Sequence, residues 1–101
     1  MKIKEFLQKC LEQNKLWDIT GIEVNSYFYH VHRIDDDVID QDLDNETVVY
    51  AYDVEEIDQD ELAVRHYQFT MAELEEKEDS IRFSYDKYIY SYEQFLKYDI
   101  N

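Results

Sequence analysis

The chain has 101 residues, with 25 Asp/Glu against ten Lys/Arg, a formal net charge of −15, one Gly, no Pro and one Cys. That length bounds it to a single domain, 1–101, and the lone Cys excludes an intramolecular disulfide framework and fits the reducing cytoplasm. No apolar run approaches the ~18 residues of a membrane span, no secretory signal is expected after the charged start, and the charge argues against direct contact with nucleic acid or an anionic membrane.

Strong charge with low hydrophobicity marks disordered chains, but those are poor in aromatics. Here 45% of residues are hydrophobic and 16% aromatic, so the reading is a folded domain with an acidic face. Ile3, Phe6, Leu7, Cys10 and Leu11 follow i, i+3, i+4, i+7, i+8, which predicts a helix over 2–13 with one apolar stripe. Asn14 or the Asp18–Gly21 stretch ends it, with Gly21 supplying a position free to take positive φ. Ile22–Ile34 is rich in β-branched and aromatic residues and reads as one long strand. An acidic loop runs to about Glu46. Thr47–Val54 is a second strand with Val48, Tyr50, Tyr52 and Val54 on one face. Glu55–Glu61 reads as an acidic turn and Leu62–Phe69 as a third strand. Thr70 and Glu73 have capping-box spacing, so a short helix follows. Ile81, Phe83 and Tyr85 alternate with polar residues, a half-buried strand, and Tyr88–Tyr90 is its hairpin partner or its continuation. Ser91 and Gln94 form a second capping box, opening a helix that carries Phe95 and Leu96. The order predicts an α+β fold: an antiparallel sheet of about four or five strands, with an N-terminal helix and one or two short helices on one face.

Candidate chemistry is sparse. Asp40, Asp42 and Asp44 resemble the start of a calcium loop, but the position that needs a bidentate Glu is Ala51. His30 and His32 share a strand face, and His66 on the third strand makes a three-histidine metal site the alternative reading. Cys10 lies on the apolar stripe, where no neighbour activates a thiolate. A pair of carboxylates suited to glycoside hydrolysis arises by chance among so many acids, and no phosphate-cradling or nucleophile-elbow motif is present. No catalytic residue, cofactor or metal ligand set is therefore assigned, and the chain is read as a binder rather than an enzyme.

The informative feature is charge placement. Residues 1–33 balance to +1, whereas 34–101 carry 21 acids against five bases. Between Arg33 and Arg65 lie 13 acids and no Lys or Arg. The partner-binding candidates are Asp35, Asp36, Asp37, Asp40, Asp42, Asp44, Glu46, Glu55, Glu56, Asp58, Asp60 and Glu61, with Tyr50, Tyr52 and Tyr90 as possible aromatic anchors. Carboxylates at i and i+2 of an extended chain lie ~6.6–6.8 Å apart. Two steps along a DNA strand span ~6.8 Å. Asp40/Asp42/Asp44 and Asp58/Asp60 have that spacing in sequence.

Small, acidic, cysteine-poor chains rich in Asp, Glu and Tyr resemble the DNA-mimic inhibitors of phages and mobile elements, the anti-CRISPR and anti-restriction proteins. The resemblance is one of composition across 34–101. It implies a phage protein active in the host cytoplasm in evasion of antiviral defence. It also implies a protein–protein interaction with a basic nucleic-acid-binding protein, such as a Cas effector or restriction nuclease, whose DNA-binding or PAM-reading groove it occupies. The alternatives are an acidic accessory module for another basic protein and a small metal-binding protein using His30, His32 and His66.

Overall fold

A computed structural model describes residues 1–34 and 47–97. The first helix, α1 (Ile3–Glu12), buries Ile3, Phe6, Leu7 and Cys10. Leu11 packs beside them, half-buried. Its end is a Schellman motif built on Asn rather than Gly. Asn14 takes φ 59°, its N–H bonds the Leu11 carbonyl at 3.2 Å, and the Lys15 N–H bonds the Cys10 carbonyl at 2.7 Å.

The single long strand expected over 22–34 is instead a hairpin, β1 (Gly21–Val24) and β2 (Tyr27–Ile34). Asn25 and Ser26 form its two-residue turn with φ 52° and 68°, the doubly left-handed pattern whose twist matches antiparallel strands. No Gly marks this turn in the sequence, and continuous β-formers on both sides hide it. Gly21 does not supply positive φ; it lies within β1. An added Cβ there would sit 2.3 Å from Ser84 Oγ and 2.4 Å from the Phe28 ring. Its role is close approach.

β3 (Val48–Asp58) and β4 (Glu61–Thr70) follow, then α2 (Met71–Glu76), β5 (Ile81–Tyr85), β6 (Tyr88–Tyr90) and α3 (Tyr92–Lys97). Short 3₁₀ turns cover Leu16–Asp18 and Glu78–Ser80. Both predicted caps form. Thr70 Oγ1 accepts from the Glu73 N–H at 3.3 Å. Ser91 Oγ accepts from the Gln94 N–H, while Gln94 Oε1 accepts from the Ser91 N–H. Tyr88–Tyr90 is the hairpin partner of Ile81–Tyr85 and not its continuation: Asp86-Lys87 turns between them, with Asp86 at φ 57°.

The sheet has six antiparallel strands in the order β4-β3-β2-β1-β5-β6. That is one or two more than expected, because the long strand divides and β6 forms. The three helices share the inner face with Ile22, Val24, Ile34, Val49, Phe69, Ile81 and Phe83. Phe6 lies at the centre of an aromatic stack, 4.9 Å from Phe83, 4.7 Å from Tyr92 and 5.6 Å from Phe95 between ring centroids. Tyr92 opens α3 and is therefore no part of a Tyr88/Tyr90 strand ladder. Glu78 accepts from the Ile3 N–H and so caps the start of α1, and Lys15 Nζ donates to the Leu96 carbonyl at 2.7 Å. Among the described residues no helix is long and apolar enough to cross a membrane.

Two outcomes follow from this core. Leu7 is fully buried, so Leu7→Ala should lower unfolding free energy by about 2–5 kcal/mol in urea titrations. Burial pushes the Cys10 thiol up to about 12. It also raises the Tyr92 phenol above its ordinary value, with Glu78, Asp79 and Glu93 adding to the effect. A raised folded pKa contributes stability that is complete below the unfolded value and lost as pH climbs through the folded one. Melting temperature should therefore fall steadily above pH ~9–10, and Tyr92→Phe should flatten that fall.

Candidate interaction surface

The sequence of β3 alternates strictly, and its register on β4 sets two faces. Val49, Ala51 and Asp53 point inward; Val48, Tyr50, Tyr52 and Val54 point outward. Their partners are Phe69, Tyr67 and Arg65 inside, and Thr70, Gln68, His66 and Val64 outside. β2 pairs with β3 only as far as His30↔Tyr52. Beyond Tyr52 the β3–β4 hairpin continues as a two-stranded ribbon.

That ribbon corrects the expected acidic turn. Glu55–Asp58 and Glu61 are strand residues, and only Gln59-Asp60 turns. The Asp58/Asp60 pair consequently straddles the turn and lacks the extended i, i+2 spacing. Glu55, Glu56, Asp58, Asp60 and Glu61 are all exposed. Arg65 bridges Glu55. Asp58 and Glu61 stand directly opposite each other, an arrangement of like charges that costs stability. Between the acids, Ile57, Leu62 and Val64 are 63%, 69% and 52% exposed. The remaining acidic candidates, Asp35, Asp36, Asp37, Asp40, Asp42, Asp44 and Glu46, lie outside the described residues.

At the base of the ribbon is a site the sequence reading missed. Asp53 is only 8% exposed. Its Oδ2 accepts from the Tyr27 phenol at 2.8 Å and the Tyr67 phenol at 3.3 Å. Its Oδ1 is buried with no hydrogen-bond partner among the described residues. The hydrogen bond to Asp53, then its charge, raises the Tyr27 pKa. Tyr29 packs against Tyr27 and Tyr67, with centroids 4.8 and 4.9 Å away, and its pKa is raised by burial first. This cluster joins the ribbon to the β1–β2 hairpin. The available signal was parity: Asp53 shares its face with Val49 and Ala51.

The outer sheet face carries the other candidates. Tyr50 lies under the Arg33 guanidinium at 4.4 Å. Tyr52 stacks on His30 at 5.0 Å, and Phe28 meets His30 edge-on at 5.1 Å. Tyr90 points to the helical face and packs on the core, 6.1 Å from Phe95. The three histidines do not meet at one point, although His32 and His66 line one cleft of about 530 Å³ with Tyr50, Tyr67 and Gln68. Tyr52 stands in register between His30 and His66, two strand spacings or ~9.5 Å apart, and His32 sits at a bulge. Among the described residues no three His, Cys, Asp or Glu gather as a metal site. A cleft of about 570 Å³ is lined by His30, Ser84 and Asp86 beside Phe28, Lys87 and Ile89. Ser84 Oγ is buried with no hydrogen-bond partner among the described residues, so it is not hydrogen-bonded to His30.

The chain matches no protein-family model, no curated protein and no solved structure.

Tyr27→Phe removes the closest donor to a buried carboxylate while leaving the ring in place. It should lower the urea midpoint with an unchanged slope, and amide exchange should quicken in the ribbon before it does in α1.

Proposed function

We propose that this protein is a non-enzymatic inhibitor that binds the positively charged nucleic-acid groove of a defence nuclease, a Cas effector or restriction enzyme, and blocks DNA binding by phosphate mimicry. The observation that carries the reading is the ribbon tip. Five exposed carboxylates occupy seven successive positions, 55–61, on a two-stranded projection, and two of them face each other directly. Optimising stability alone disfavours such a pairing, whereas a basic groove neutralises it. The exposed Ile57 supplies apolar contact beside the charge, as interfaces require.

The mechanism is competitive occupation. Opposite fields steer the encounter and raise the association rate. Each exposed pair contributes only ~0–1 kcal/mol, so affinity depends on several carboxylates meeting Lys and Arg together. Immobilised protein should capture a nucleic-acid-binding protein from a bacterial lysate, release it in a salt step, and lose it to competing duplex DNA. Reversing Glu56, Asp58 and Asp60 to Lys should weaken capture at least tenfold, with Glu5→Lys/Glu12→Lys as the inert control. The same triple reversal should stabilise the free protein or leave it unchanged, because it relieves repulsion at the tip. Undiminished capture by the triple variant would remove the mimicry reading.

A further inference from the structure

β4 closes one edge of the sheet, and it is an unusual edge for this chain. Protective devices on edge strands are short length, Pro, bulges and charge. β6, at the opposite edge, has three residues; β4 has ten. β4 contains no Pro, and its ladder runs without a register shift from Val48↔Thr70 to Glu56↔Leu62. In a chain of net charge −15, the segment 62–70 holds no Asp or Glu and includes Arg65. Among the described residues no strand lies beyond it. Leu62 and Val64 are exposed on it.

We infer that β4 is a self-association edge, pairing antiparallel with β4 of a second copy about a two-fold axis through Val64. The register follows from side-chain chemistry. An axis normal to the sheet keeps the open faces together, so the self-opposed residue is Val64, Arg65 or His66 near the strand centre. An axis at Arg65 sets two guanidinium groups opposite each other. An axis at His66 opposes two imidazoles and sets the acidic turn against the partner's Glu73 at the start of α2. An axis at Val64 opposes two exposed valines and places Leu62 opposite the partner's His66 on the outer face. On the inner face it places Ala63 opposite the partner's Arg65 and makes Glu61 the diagonal neighbour of that arginine, an opposite-charge pair. Of the three, that register alone opposes an apolar pair at its axis and adds an attractive pair. It joins two sheets into one of twelve strands, with the two acidic turns ~27 Å apart along the shared edge.

The salt dependence separates this inference from the inhibitor reading. Two chains of −15 repel overall, so screening should strengthen self-association, while it weakens binding to a basic groove. Sedimentation velocity across micromolar concentrations should show a monomer–dimer equilibrium that shifts to dimer as salt rises. Val64→Lys puts two ammonium groups at the axis on an exposed site; it should weaken dimerisation at least tenfold with an unchanged melting temperature. Val64→Cys should be joined to its counterpart by a short bismaleimide, whereas Glu12→Cys should not; Cys10 is buried and silent. A protein that stays monomeric at every salt concentration, or a dimer untouched by Val64→Lys, overturns the inference. Neither result bears on capture of a basic partner.

Discussion

Phe6 holds the molecule together. Its ring touches β5 through Phe83 and α3 through Tyr92 and Phe95, so a single side chain of the N-terminal helix clamps the sheet and the last helix at once. Aromatic rings bury large apolar areas and add directional pair energy. That concentrated contact has to offset the self-repulsion of fifteen uncompensated charges. Every helix lies on the same sheet face as this stack. Among the described residues no helix covers the other face, and the acidic ribbon projects past the last β2–β3 pair.

The ribbon depends on this arrangement through Asp53. A carboxylate buried at the root of a charged projection is costly unless its oxygens are hydrogen-bonded. Tyr27 and Tyr67 serve one oxygen from two different strands. The acids beyond are exposed, where solvation is cheap. The polar root and the solvated tip thus differ physically: the root is hydrogen-bonded to neighbouring strands, and the tip is hydrated.

Much of the architecture was legible in the sequence because side-chain period and cap chemistry are local. The stripe Ile3/Phe6/Leu7/Cys10/Leu11 gave α1, and Ser91/Gln94 gave the start of α3. Two features resisted. The Asn25-Ser26 turn places a Ser at φ 68°, a conformation that L-residues other than Gly adopt at a cost of ~1–2 kcal/mol. Composition therefore does not announce it. The ribbon was hidden because Glu and Asp are poor strand formers; only its register with Ala63 and Leu62 holds it extended. The acids of the ribbon were singled out by charge alone, and Glu55, Glu56, Asp58, Asp60 and Glu61 fall on one projection. Tyr90 was grouped with Tyr50 and Tyr52 by residue type, although strand parity assigns it to the core side.

The clamp also has a temporal side. Phe6 and Phe95 are 95 − 6 = 89 positions apart, and the Met1 ammonium lies 4.0 Å from Glu93. Bringing such distant positions together is the slow, entropically expensive step of a topology. The hairpins β1–β2, β3–β4 and β5–β6 are local by comparison and cost less loop closure. Within this chain every strand lies between α1 and α3, so the contacts of Phe6 with Tyr92 and Phe95 close across the whole sheet. A chain shortened before Tyr92 keeps the Phe6–Phe83 stack but leaves the other side of the Phe6 ring without its aromatic partners.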